Sequence, residues 1–291
     1  MNRYLSFFLL SCFGLSAGCV CAQKPVKRIG DFIESTSYND HKRGASRSLQ
    51  YYPEGDDFVC VNGKNRYTRA LYGSWSPFRL ETSDRPVFAT YDKRNSKNIR
   101  FRISMPGGYS AMLDSVGYCE ARYTPGRRSY HLTDPAWGGE LRISALALPD
   151  VDGAIWKLEP VGFSSQSVLT AVMSEIKAHR LNRNGDMGAD PADSFEAPEN
   201  PQQVETCDMR LKNGVAYLVF RDFSIKMLGK KEGSRLYEKA EKARAELASR
   251  IRIETPDAYL NTLGGALALA ADGIWDGQVW LHGAVGWRMP L

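Results

Sequence analysis

Histidine and cysteine are scarce in this 291-residue chain, with 4 and 6 copies, and no C-x-x-C pair occurs. Cys12, Cys19 and Cys21 fall in the N-terminal segment, which leaves Cys60, Cys119 and Cys207 far apart in sequence. Three thiols cannot all pair. One bridge is open to them in an oxidising compartment, but widely spaced single cysteines are more often buried small hydrophobes. They make no zinc site, and His131 and His179 are isolated, so a metal at His282 lacks neighbouring ligands. No metal and no cofactor is expected. An excess of one charge is also missing: 38 Lys and Arg face 33 Asp and Glu, and no basic block of the kind that tracks phosphates occurs, which argues against nucleic acid as a partner. Beyond the N-terminus no apolar run is long enough to span a bilayer, so no transmembrane segment is expected.

The N-terminus itself reads as an export signal. Arg3 supplies the positive end and Leu5 to Leu15 the apolar run, and Val20-Cys21-Ala22 before Gln23 offers the small residues a signal peptidase needs. Ser16-Ala17-Gly18-Cys19 is an imperfect lipoprotein box, with Leu15 one place too early, so soluble export to the periplasm is favoured over a lipid anchor. Residues 1–22 are therefore set apart as a signal peptide.

From Phe58 to about Phe223 short strands alternate with turn signals, the pattern of an antiparallel β-sandwich assigned to residues 23–230. Ile99, Phe101, Ile103 and Met105 alternate with Arg100, Arg102 and Ser104, so one face of that strand is wet. Leu141–Ala145 repeats the alternation, and Ala216–Phe220 is the continuous apolar run of a central strand. Asn62-Gly63, Pro106-Gly107-Gly108, Pro125-Gly126, Gly138-Gly139, Asp152-Gly153 and Asn213-Gly214 supply turns. Ser167–Leu181 fits a helix or a strand, and is assigned as strand. In Asn182–Asp193 the oxygen-bearing side chains invite a calcium reading, but Met187 stands where an EF-hand needs glycine and Asp193 where it needs glutamate, so a polar surface loop is preferred. The aromatic and basic stretch Asn65–Trp75 fits a strand packed against the next domain better than a sugar platform.

The C-terminal part changes period. Leu236, Ala240, Ala243, Leu247 and Ile251 recur three or four residues apart behind Ser234 as a cap, with Glu238 and Lys242 paired on the wet side, which predicts an amphipathic linker helix within residues 231–254. Thr255-Pro256-Asp257 then opens a second helix, running through Tyr259, Leu260, Leu263, Leu267, Ala270, Ala271 and Ile274 and apolar on almost every side. Such a helix needs walls, and an apolar patch over Tyr259–Ile274 is expected without them, together with protease sensitivity after about Gly233.

The order of these parts resembles the six-hairpin glycosidases, in which an N-terminal sandwich packs through a linker helix against an (α/α)6 toroid. The strings Asn65–Gly73, Asn184–Asp190 and Leu281–Leu291 are similar to an uncharacterised family of exported proteins from polysaccharide-degrading bacteria, known as a domain of unknown function. The resemblance implies a mainly β fold with an N-terminal antiparallel β-sandwich, a linker helix, and at residues 255–291 the first helices of an incomplete toroid. It also implies a carbohydrate partner, poly- or oligosaccharide, and a chain that is the N-terminal portion of a glycoside-hydrolase-like protein, with the missing toroid portion as a further partner. Glycoside hydrolysis needs two carboxylates across the scissile bond. In the toroid folds they lie beyond the first helices, so this chain is expected to lack the catalytic acids, and its catalytic residues are unassigned.

If any part touches sugar it is Trp275–Arg288. Trp275, Trp280 and Trp287 offer faces for a pyranose ring, and Asp276, His282 and Arg288 offer directional hydrogen bonds. The competing account makes the tryptophans packing groups and Asp276 a cap. Asp272 and Asp276 as an acid/base pair is the sharper enzyme reading, but four residues apart on a helix they would share one side of a substrate, so it is not the one expected. A non-catalytic carbohydrate-binding or scaffolding sandwich, acting through Tyr72 or Trp75, is the alternative function, and a free-standing hydrolase with unrecognised residues is a third.

Overall fold

The computed structural model describes residues 27–29, 32–34, 48–73, 75–76, 78–91, 95–177, 195–275, 277–278 and 280. The signal segment, the Asn182–Asp193 loop and the string Leu281–Leu291 lie outside these residues. The chain forms two compact units, Met1–Leu49 and Gln50–Leu291. In the first, β1 (Lys27–Ile29), β2 (Phe32–Glu34) and β3 (Ser48–Leu49) make a small antiparallel sheet in that order.

The second unit begins with β4 (Tyr52–Glu54), β5 (Asp57–Val61), β6 (Tyr67–Leu71), β7 (Arg79–Ser83), β8 (Val87–Tyr91), β9 (Lys97–Ser104) and β10 (Ser110–Met112). It continues with β11 (Tyr118–Thr124), β12 (Arg127–Thr133), β13 (Glu140–Ala147), β14 (Gly153–Val161), β15 (Val168–Glu175), β16 (Val204–Arg210), β17 (Ala216–Arg221) and β18 (Ser224–Leu228), then helices α1 (Lys230–Ala248) and α2 (Ala258–Gly273). One sheet runs β16-β15-β9-β8-β7-β6, with β10 paired to the end of β9, and the other runs β18-β17-β14-β13-β12-β11-β5-β4. The protein is mainly β and sandwich-like.

Alternation explains the pairing of the two sheets. Ile99, Phe101 and Ile103 of β9 are buried while Arg102 is exposed, and β11 and β12 bury every second residue. Phe88 and Phe101 from one sheet meet Trp156 of the other edge to face, and Phe88 meets Tyr130 in the same way. The ambiguous segment after Ser167 is a strand, because β15 lies between β9 and β16 and its Leu169, Ala171 and Met173 complete the inner face. Among the described residues Cys60, Cys119 and Cys207 form no disulfide, and the first two are fully buried.

β17 is apolar from Ala216 to Phe220 because it is covered on both sides. Leu218 and Phe220 face the sandwich core, whereas Tyr217 and Val219 join Leu146, Leu148, Ile155 and Ala240 in a second cluster beneath α1. Helix α1 approaches closely at Gly233, where a Cβ would stand 2.4 Å from the Tyr217 ring. Farther along, Arg127 donates to Glu241 at 2.8 Å, and Arg244 bonds Glu241 and donates to the Pro125 carbonyl at 3.1 Å.

The start of α1 differs from the sequence reading. The helix opens at Lys230 behind Gly229, and Ser234, already inside it, donates to Glu238 at 2.6 Å instead of capping. Glu238 is thereby engaged, and Lys242 turns to Glu246 at 3.9 Å. At α2 the cap is Asp257, whose carboxylate accepts from the Tyr259 N–H, while Thr255 holds the preceding turn by accepting from the Asp257 N–H.

Helix α2 packs against the end of α1, where Gly265 meets the Ala248 carbonyl and Gly264 meets Ile251 and Ile253, and against the sandwich. Thr262 lies 2.9 Å from the Gly55 carbonyl, Leu269 sits against Gly126 and Gly265 against Pro125, so the helix crosses turns at one end of the sandwich. On its other side Leu260 and Leu267 are 47% and 45% exposed, and Ala270 and Ala271 continue the open stripe. Two helices occur among the described residues, and the expectation of a toroid goes beyond them.

Candidate functional site

The C-terminal end of α2 gathers the aromatic residues singled out in the sequence. The helix ends at Gly273, whose Cα is pressed on Tyr72: a Cβ there would stand 2.2 Å from the ring. Gly277, with φ +96°, then turns the chain so that Trp275 and Trp280 form an isolated antiparallel bridge. Their rings lie 4.6 Å apart at 54°, and the Trp280 indole N–H donates to the Ala271 carbonyl at 3.2 Å, satisfying one of the carbonyls left open at the helix end. Trp280 nevertheless keeps 50% of its surface exposed. Trp275, partly buried, packs against Trp280, and Trp280 is both a helix stop and an open indole face held by its own hydrogen bond. The structure brings Trp275 and Trp280 together; Asp276, His282, Trp287 and Arg288 lie outside the described residues.

Tyr72 links this corner to the sandwich. Burial raises its phenol pKa, with the Arg79 guanidinium working against that and the Glu81 carboxylate adding to it. Arg79 and Glu81 form an ion pair with both side chains 11% exposed, and Arg79 lies over Tyr91, 4.7 Å from the ring centre. Glu81 is thus engaged and does not serve as a free acid. Tyr72 supports the helix, while Trp75 is 61% exposed.

A second polar cluster lies within the core. Arg128, wholly buried, donates from Nη2 to the Ser83 carbonyl at 2.8 Å and to the Tyr51 hydroxyl at 2.7 Å, and from Nε to the same carbonyl at 3.1 Å. Its Nη1 has no partner. Although burial disfavours its charge, Tyr51 and Tyr130 around it leave its pKa raised, so it stays a cation. The same burial pushes the Cys119 thiol up to about 12. This cluster ties β7 to β12 and opens to no ligand.

Composition did not single out a cavity of about 380 Å³ at the β16 edge, lined by Lys97, Met173, Ser174, Gln202, Gln203, Val204, Glu205 and Phe223. The one signal for it was Lys97 two places before Ile99, a charge continuing an apolar alternation. Among the described residues no group of three or more His, Cys, Asp or Glu is placed to hold a metal ion.

A family model described as a domain of unknown function, DUF4450, matches residues 96–246, just over half of the chain. The chain belongs to this family. The match spans β9 to β18 and nearly all of α1, so it includes the cavity and leaves out the Trp275–Trp280 corner. No curated protein matches the chain.

Proposed function

We propose that this chain is the sugar-binding sandwich portion of an exported, carbohydrate-active protein resembling the glycoside hydrolases, and that it does not itself supply the catalytic acids. The observation that carries the reading is Trp280: an indole held by its own hydrogen bond and by Trp275, with half its surface open, is pre-organised to stack on a pyranose ring. The succession of sandwich, α1 and α2, and the similarity of that order to the six-hairpin glycosidases, supports the class, with α2 standing for the beginning of the toroid. Export rests on the Met1–Gln23 pattern. Affinity electrophoresis of the full chain in gels containing soluble neutral polysaccharides tests the proposal. Retardation is expected for at least one polysaccharide, without release of reducing ends, and Trp280→Ala weakens it about tenfold, the size of one stacking contact. Equal migration in every gel contradicts the reading.

The alternative, a carbohydrate-binding or scaffolding sandwich acting through its own aromatics, is favoured by the exposure of Trp75. Trp75→Ala separates the two. Tyr72→Ala does not, since it removes the ring beneath Gly273 and loosens α2.

A further inference from the structure

The cavity at the β16 edge has the features of a built binding site, and it lies across the sheet from the Trp275 corner, since β16 and β6 are the opposite edges. Its floor arises where the inner row of the sandwich changes character. Along β9 the row reads Ile103, Phe101, Ile99 and then Lys97; along β16 it reads Met209, Cys207 and then Glu205. An interior row that ends in a lysine puts an ammonium at the mouth between the sheets. Lys97 is 9% exposed and its ammonium makes no hydrogen bond or ion pair with the described residues, so its donors at the mouth are left to a ligand. Glu205 is half-committed: its Oε1 accepts from the Ser224 hydroxyl at 2.7 Å and the Ile225 N–H at 3.0 Å, and Oε2 is left to accept more.

The opposite lip is Phe223. Asp222 and Phe223 are the two central residues of the tight β17–β18 hairpin, and both have positive φ, 52° and 59°. Asn-Gly is the usual choice for such a turn, and a bulky aromatic there stores strain. The strained turn holds a ring that is 45% exposed at the edge of the cavity, where packing gives no reason for it.

We propose that this cavity binds a single ring of a neutral oligosaccharide. Lys97 donates to ring hydroxyls, Glu205 Oε2 accepts from them, and Phe223 stacks on the apolar face. A cation and a carboxylate lining one small cavity match hydroxyls, which donate and accept, better than they match an anion, which Glu205 repels. The volume is at the lower end for small-molecule pockets and fits one ring with its neighbours in solvent. The class of ligand rests on the carbohydrate reading above; the site is independent of Trp280.

The test uses the full chain labelled with ¹³C-methyl methionine, because Met173 lines the cavity, while the part of the tryptophan fluorescence response that Trp280→Ala removes reports on the Trp275–Trp280 corner. The probes are the hexasaccharides of β-1,4-glucose, α-1,4-glucose, β-1,4-xylose and β-1,4-mannose. The expected result is a saturable shift of the Met173 methyl with at least one probe, kept in Trp280→Ala and weakened tenfold or more in both Phe223→Ala and Lys97→Met, with each variant's Tm within a few degrees of the parent or above it. Tryptophan fluorescence that responds while Met173 stays fixed overturns the cavity proposal and leaves the carbohydrate reading standing. A Met173 shift that survives both cavity substitutions also overturns it. Silence of both reporters with every probe overturns the two together.

Discussion

Phe223 and Arg128 show how single residues carry cost in this fold. A non-glycine residue in the left-handed region costs about 1–2 kcal/mol, so Phe223→Gly is expected to raise stability by about 1 kcal/mol while abolishing the cavity's aromatic lip. Urea denaturation reads this directly, and a loss of stability would mean that the ring packs in a way its exposure denies. Arg128 is the opposite case. Its guanidinium fills the gap between Ser83, Tyr51 and Tyr130, and Arg128→Met removes its bonds to the buried Ser83 carbonyl and the Tyr51 hydroxyl, leaving them the Tyr130–Ser83 and Tyr51–Thr68 bonds, so a loss on the order of 3 kcal/mol is expected in the same experiment. Neither Arg128 nor Glu205 was readable in the sequence, where an arginine in an alternating strand belongs on the wet face. The register of β12 places Arg128 inward, between Arg127 and Ser129, because a carbonyl and two phenols wait there. Cys119 was readable as a buried hydrophobe. With its thiol pushed up to about 12, it is expected to resist thiol reagents at pH 8 until the protein unfolds.

Among the elements, α1 shows small residues deciding a docking geometry. Gly233→Ala gains about 1 kcal/mol of helix propensity, but its methyl would meet the Tyr217 ring, itself buried between helix and sheet, and overpacking costs about 1–3 kcal/mol. Net destabilisation is expected in thermal unfolding; a raised Tm would mean that the helix shifts freely. The acid dependence of the same contact has a definite sign. Burial opposes the charge of Glu241, yet the hydrogen bond from Arg244 and the charges of Arg127 and Arg244 hold its pKa below the ordinary carboxylate value. Glu241 therefore adds stability above that ordinary value, about 4.3, which is lost as pH falls through the depressed folded pKa. The drop in Tm below about pH 4 is expected to be smaller in Glu241→Gln. The apolar spacing of α1 was legible from sequence, as were the hairpin turns at Gly107 and Gly126 and the sheet-to-sheet turn at Gly214. Its start was not, because Ser234 looks like a cap and only the end of β18 at Leu228 shows that the helix has already begun.

For the whole second unit, the sandwich was legible from alternation and turn signals, since period-two burial is what a two-sheet core imposes on a chain. The relation of α2 to it was legible only in part. Leucines around the whole helix predicted walls on every side, whereas the wall that exists is made by the Ala248 end of α1, by Ile251 and Ile253 after it, and by Gly55, Pro125, Gly126 and Tyr72, small or turn residues with no hydrophobic period to betray them. This modifies the expected protease sensitivity. With α1 anchored on β17 and α2 on the turns, cleavage is expected first in the exposed stretch Ser249–Asp257 between the helices and not within α1. The open stripe of Leu260 and Leu267 predicts that Leu260→Gln with Leu267→Gln lowers dye binding and self-association in sedimentation without lowering Tm.

The central claim is that this fold presents aromatic faces to sugar, and the most direct measurement is tryptophan fluorescence of the full chain titrated with neutral polysaccharides, beside Trp280→Ala and Trp75→Ala. The account predicts a saturable change with at least one polysaccharide, lost or weakened about tenfold in Trp280→Ala and retained in Trp75→Ala. An unchanged spectrum in every titration, with the protein folded by circular dichroism, would contradict it.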